Sequence, residues 1–226
     1  MIKLSFEVPL SHLDYFDGHQ DFLFALSCLC PHKEYVEYIR QSLKRGLPGI
    51  LDNSFNEVGH PEPAPYLVGL AIGLGINRIV APDSLDWTFE EMRRSVISTV
   101  ALFGTEGVIA VARSPLEVEY FQKLSIAGVA IPYRRRHMFP KGFDFSKTHF
   151  LGLNSVLELV TYRPESCDTG MPVKLALQGK SIEDWIEEGC PHIHNIELQG
   201  YFQAVMTEEQ LALADENIKY LKEVCK

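Results

Sequence analysis

Short apolar runs alternate with amphipathic segments along the whole chain, and this rhythm limits the fold more than any other feature. Each run is too short for a buried helix. Each is also too unbroken for a strand with one wet face, so it reads as a parallel strand covered on both sides. Strands are expected at 2–8, 49–52, 78–81, 107–112, 129–132, 149–153, in a stub before Asp168, and at 193–198. The intervening segments read as helices, giving repeated strand–helix units around a parallel sheet. They fall at 19–45 (one helix, or two broken near Pro31), 64–74, 88–103, from Pro115 to near Gly128, up to about Tyr162, 173–177, 181–188 and 207–224. Gly75 and Gly104 supply stops, and Thr88 with Glu91 forms a capping box. About eight such units in 226 residues predict an α/β fold, a (β/α)8 TIM-type barrel. A doubly wound open sheet is the alternative, but no glycine-rich dinucleotide loop follows the first strand. No linker composition divides the chain, so residues 1–226 read as a single barrel domain.

The bulk numbers remove several function classes. A hydrophobic fraction of 46% fills a sizeable core, and no apolar stretch approaches a membrane span or a secretory signal. The net charge of −9 argues against a broad nonspecific nucleic-acid binder, though it leaves room for one local basic patch. Five cysteines, an odd number without a disulfide-like framework, fit a reducing compartment, so a cytoplasmic protein is expected.

Three aspartates stand just after apolar runs: Asp52, Asp83 and Asp168. Strand ends are where barrel enzymes keep their chemistry, and carboxylates move protons or attack electron-poor carbon. Each aspartate also has a plainer reading. Asp52, among Asn53, Ser54, Asn56 and Glu57, fits an Asx turn or helix cap; Asp83 fits a cap; Asp168, among small residues, fits a turn. Arg134, Arg135 and Arg136, with His137, follow the expected strand at 129–132 and read either as a phosphate grip or as a solvated loop. Arg113 reads as a similar contact or as a strand-end cap. Cys28, Cys30 and His32 fall in a helical pattern that does not put them on one face. Cys190, His192 and His194 alternate, which on a strand would place them on one side. That spacing fits a metal site or simply turn and strand-edge histidines.

Taken in order, these motifs resemble the tRNA-guanine transglycosylase superfamily. The likeness is closer to its compact phage-type branch, related to DNA 7-deazaguanine transglycosylases. Leu51-Asp52-Asn53-Ser54-Phe55, Ala81-Pro82-Asp83, Phe150-Leu151-Gly152-Leu153-Asn154 and Ser166-Cys167-Asp168-Thr169-Gly170-Met171-Pro172 carry the resemblance, over residues 2–180. It implies a pentosyltransferase that exchanges guanine for a 7-deazaguanine in DNA or tRNA, with nucleic acid and a guanine-type base as partners. By that resemblance Asp168 would form a covalent glycosyl-enzyme and Asp52 would handle the base proton. Asp83 and Asn53 would bind the base, and Arg113, Arg134, Arg135 and Arg136 the phosphates. Ile109-Ala110-Val111-Ala112-Arg113 lacks the family's base-reading glutamine, and no three-cysteine, one-histidine zinc spacing occurs, so neither a zinc subdomain, a metal nor a cofactor is expected. The alternative is a catalytically silent barrel that binds a nucleobase or nucleic acid.

Overall fold

The computed structural model describes residues 1–153, 155–190 and 198–226, the side chains of Arg134, Leu198 and Gln199 excepted. Eight parallel strands, β1 (Lys3–Phe6), β2 (Leu23–Leu26), β3 (Gly49–Asp52), β4 (Arg78–Val80), β5 (Val108–Val111), β6 (Gly128–Pro132), β7 (Thr148–Leu151) and β8 (Ser166–Thr169), form one sheet in the order β1-β8-β7-β6-β5-β4-β3-β2. It curls into a nearly closed (β/α)8 barrel with helices outside, and no zinc subdomain is evident among the described residues. β2, β3 and β5 are buried at every position, as strands covered by side chains within and helices without must be.

One strand lies where a helix is expected. Leu23-Phe24-Ala25-Leu26 is β2, and only Lys33–Lys44 of the 19–45 segment is a long helix. The apolar tetrad runs straight into Ser27–Leu29, a 3-10 turn, so its pattern merges with the helix beyond and hides the strand. The count of eight is therefore completed by β2, while the strand expected at 193–198 lies almost wholly outside the described residues, where Leu198 already opens a helix. Elsewhere the punctuation holds. Thr88 caps the helix Phe89–Phe103 in a full capping box with Glu91, Pro115 opens Pro115–Gln122, and Gly75 ends Ala64–Leu74 in the left-handed conformation.

β1 and β2 close the ring without a backbone ladder; one backbone bond, Asp21 N–H to the Leu4 carbonyl (2.9 Å), and several side chains bridge the seam. Phe6 donates its N–H to Gln20 Oε1 (2.7 Å) and accepts at its carbonyl from Gln20 Nε2 (3.0 Å). Leu4 N–H donates to Asp21 Oδ2 (2.9 Å), and Phe24 N–H donates to Ser5 Oγ (3.1 Å). Buried backbone groups that a strand would satisfy thus find amide, carboxylate and hydroxyl partners. On the far side, the C-terminal helix Glu208–Val224 docks through buried Asn217. Its Oδ1 accepts from Ile182 N–H (2.7 Å), and its Nδ2 donates to the Pro172 and Lys180 carbonyls (3.1 and 3.2 Å). This fixes the helix Met171–Leu177 directly after β8, and with it the end of the strand that carries Asp168. Among the described residues, no helix is long and apolar enough to cross a membrane.

Candidate active site at the C-terminal rim

The strand ends converge on a cavity of about 90 Å³ lined by Glu7, Asp52, Glu57, Asp83 and Asp168, with Asn53 and the rings of Phe24 and Phe55. A water needs roughly 10–15 Å³ by this measure, so the space admits several waters or one small organic group. The sheet register explains part of the convergence. Asp168 is opposite Ser5 on β1 and Leu151 on β7, and Asp52 ends β3 opposite Leu26.

Asp52 meets both of its sequence readings. Its Oδ2 accepts from Ser54 N–H (2.7 Å), an Asx turn, while the carboxyl faces the cavity. Asn53 Oδ1 accepts from Phe55 N–H (2.9 Å), and its Nδ2 donates to the Ala81 carbonyl (2.8 Å) and to Asp83 Oδ1 (2.7 Å). That one amide ties the end of β3 to the end of β4. Ser54 holds φ of 54°, and its Oγ lies 3.0 Å from Ser27 Oγ and accepts from Cys28 N–H (3.2 Å), which pins β2 to the same turn.

Asp168 is 3% exposed. Its Oδ1 lies 2.8 Å from His149 Nε2, and its Oδ2 accepts from Gly152 N–H (3.2 Å). Gly152 adopts φ of 75°, a left-handed turn that lets its amide bend back toward β8. His149 lies within the barrel, stacked on Phe24 (centroids 5.2 Å, 21°) and edge-on to Phe22 (5.7 Å, 81°). Its Nδ1 is 2.9 Å from Ser166 Oγ.

Crowded carboxyls in a low-dielectric hollow hold their protons. Burial, followed by the charge of Glu57, pushes Asp52 well above the usual carboxylate range against the opposing Ser54 N–H. Burial pushes Glu57 up to about 8, with Glu7 adding to the effect, and Asp83 up to about 6 against the Asn53 hydrogen bond and the Arg113 charge. Glu7 is also raised, by burial first, although Lys174 Nζ stands 3.9 Å from its Oε2 and opposes the shift.

The arginines are engaged elsewhere. Arg113 Nη1 donates to the carbonyls of Ser84 (3.2 Å), Leu85 (3.3 Å) and Trp87 (2.7 Å), and Nη2 pairs with Glu117 (3.3 Å). It braces the loop that carries Asp83. Arg136 pairs with Glu158, donates to the Tyr133 carbonyl (2.9 Å) and lies 3.9 Å over the Tyr133 ring. Neither is the free phosphate grip that the sequence allows. Arg135 is half-buried on the same 3-10 turn, Tyr133–Met138. Among the described residues no group of three or more His, Cys, Asp or Glu is arranged to hold a metal, and His192, His194 and Asn154 lie outside the described residues. Burial pushes the Cys28 thiol up to about 11 and Cys30 up to about 12.

Sequence reasoning passed over Glu7, His149 and the cavity role of Glu57. Glu7 follows the first apolar run as Asp52 follows a later one, and His149 alternates with Leu151 on a strand; both signals are present in the chain.

No family model matches this chain, and no curated protein matches it. Solved structures do share its fold. An N-acetylneuraminate lyase from Fusobacterium nucleatum aligns over 97% of this chain and 98% of its own, at 15% identity and a TM-score of 0.54. A catalytic-lysine mutant of the Ruminococcus gnavus sialic acid aldolase aligns over 99% and 95%, at 12% identity and a TM-score of 0.53. D-psicose 3-epimerase from Clostridium cellulolyticum H10, solved with D-tagatose, aligns over 96% and 93%, at 10% identity and a TM-score of 0.53.

These neighbours are lyase, aldolase and epimerase barrels, not transglycosylases, and the expected family is overturned. With it fall base exchange in DNA or tRNA, the pentosyltransferase class, and nucleic acid and guanine-type bases as partners. The alternative, a silent barrel that binds a nucleobase, gains no support either. The physical reason is that an apolar run ending in aspartate is what any parallel barrel with an acidic rim presents. Short motifs of that kind identify an architecture rather than a substrate.

Proposed function

We propose that this barrel, taking residues 1–226 as one domain, is an acid–base enzyme that enolises a small, uncharged, hydroxyl-rich carbonyl compound of the ketose or aldose class. The observation that carries this reading is a single cavity holding carboxyls in two settings. Asp168 is aligned by a ring nitrogen and a backbone N–H, whereas burial and the charge of Glu57 raise the proton affinity of Asp52. Environments that separate two carboxyls assign them as base and acid. Asp168 takes the proton from the carbon beside the carbonyl. The C–H electron pair becomes the C=C bond of an enediolate, and the carbonyl π pair moves to its oxygen, which the Asp52 O–H stabilises. Return of the proton to the opposite face gives the epimer; return to the former carbonyl carbon, with the neighbouring hydroxyl proton passing through Asp52 to the other oxygen, gives the isomer, with no atom gained or lost. Asp83 and Asn53 lie where substrate hydroxyls would be held.

The cavity lining carries carboxyls and two amides but no arginine or lysine among its described residues, which disfavours anionic substrates. The epimerase with D-tagatose is a neighbour whose named ligand is such a neutral sugar. A Schiff-base route has less support: Lys3, exposed at the start of β1, is the one lysine on the described strands, and Lys174 is on a helix beside Glu7.

The test is solvent-deuterium uptake, followed by NMR, across a panel of neutral ketoses and aldoses. Wild type should exchange the α-hydrogen of at least one sugar. Asp168→Asn should slow that exchange by about 10²–10⁴-fold, and Asp52→Asn by a smaller factor. Uptake undiminished in Asp168→Asn, or uptake confined to sugar phosphates, would overturn the reading.

A further inference from the structure

Register alone creates a chain of three side chains through the barrel. His149 on β7 is the direct partner of Ser166 on β8, and Asp168 stands two residues beyond Ser166 on the same face. The imidazole therefore bridges the two, with Nδ1 2.9 Å from Ser166 Oγ and Nε2 2.8 Å from Asp168 Oδ1. Phe24 covers one face of the ring and Phe22 meets it edge-on, and His149 is only 6% exposed. It does not line the cavity, so it reaches a substrate only through Asp168.

We infer that His149 is a positioning residue for Asp168, and that Ser166 fixes which ring nitrogen faces the carboxylate. This rests on the reading of Asp168 as the base. A neutral ring that accepts the Ser166 O–H at Nδ1 carries its proton on Nε2; a charged ring carries one there as well. In both states Nε2–H donates to Oδ1, while Gly152 N–H donates to Oδ2. Each carboxylate oxygen is held by one donor and keeps a lone pair for the cavity. These N–H donors, one on each oxygen, stand against the like-charged groups that crowd the carboxylate. The groups opposing them are Glu7 after β1, Asp52 at the end of β3 and Glu57 on the turn beyond, with Cys167 beside Asp168; Lys174 stands near Glu7.

The experiment needs no substrate, so it can fail or succeed independently of the proposed reaction. Long-range ¹H–¹⁵N spectra of the histidine ring should place the proton on Nε2. The carboxyl ¹³C signal of Asp168 should then be titrated in wild type, His149→Phe, His149→Gln and Ser166→Ala. His149→Phe removes the donor and keeps the ring stack, so proton affinity at Asp168 should rise tenfold or more. His149→Gln restores an N–H donor and should recover most of that change, and Ser166→Ala should give an intermediate shift with mixed tautomers. A merely structural role would not move this titration in a donor-dependent order. A neutral ring with its proton on Nδ1 and none on Nε2, or titrations of Asp168 that coincide in wild type and His149→Phe, would overturn the inference. If His149→Phe does not fold, the ring proton and the Ser166→Ala titration still decide it.

Discussion

Along the arc of the rim that runs from β8 past β1 to β3 and β4, carboxyl groups face an open cavity and crowd one another. Along the arc beyond β5 and β6, the charged groups are arginines, and Arg113 and Arg136 each have a carboxylate and at least one backbone carbonyl of the same chain as partners. The first arc crowds more carboxyls than it has bases to match and so perturbs its proton affinities; the second pairs Arg113 and Arg136 each with a carboxylate and so braces loops. Unmatched buried charge costs stability and is kept where it does chemistry, whereas matched charge is architecture. An arginine-rich segment at a barrel rim therefore says little about an anionic ligand until its partners are known.

The largest effect that would sharpen this contrast is in activity. Asp168→Asn should reduce turnover by about 10³-fold while leaving the Tm nearly unchanged, because the amide keeps the shape of the site. A large drop in Tm would move Asp168 to the architectural side. Next comes Arg113→Ala, which leaves Glu117 uncompensated where both side chains are barely exposed (12% and 11%). Urea unfolding should show a loss of roughly 3 kcal/mol; a loss below about 0.5 kcal/mol, the range of an ordinary surface change, would break the comparison. Arg136→Ala, at a more exposed pair stacked on Tyr133, should cost about 1 kcal/mol in the same measurement.

The smallest effect is a pH dependence. The Glu57 carboxyl is raised to about 8 when folded, from an ordinary 4.5, so the folded state binds that proton more tightly than the unfolded one. Its stabilising contribution is complete below about 4.5, declines as pH rises and is gone above about 8. Between pH 5 and pH 9 the wild-type Tm should therefore fall further than that of Glu57→Gln. Equal slopes in the two proteins would place Glu57 outside the unmatched set.

The barrel was legible in the chain because burial on both faces leaves an unbroken apolar signature, as at Gly49–Asp52 and Val108–Val111. Leu23–Leu26 escaped because nothing polar separates it from the turn that follows. Asp52, Asp83 and Asp168 stood out by position, and the structure places all three on one cavity. Glu7 and His149 did not, since a single polar residue beside a strand carries no mark of what lies across the barrel. Nor did the sequence reveal that Arg113 is held by three carbonyls, a fact that depends on the path of the 84–87 loop. Chemistry was the least legible part, because carboxylates at strand ends serve many reactions and their short motifs led to the wrong family.

The seam between β1 and β2 has a consequence for how such a ring can vary. Where strands pair through backbone, substitution leaves their spacing alone, since every residue type but proline brings the same amide and carbonyl. At Gln20 the wall of the barrel is a side chain, and the distance it spans is the length of a glutamine. At this one point the wall of the ring is set by a side chain's reach, beside the backbone bond from Asp21 N–H to the Leu4 carbonyl (2.9 Å), so the seam is where the sequence rather than the ladder shapes the barrel.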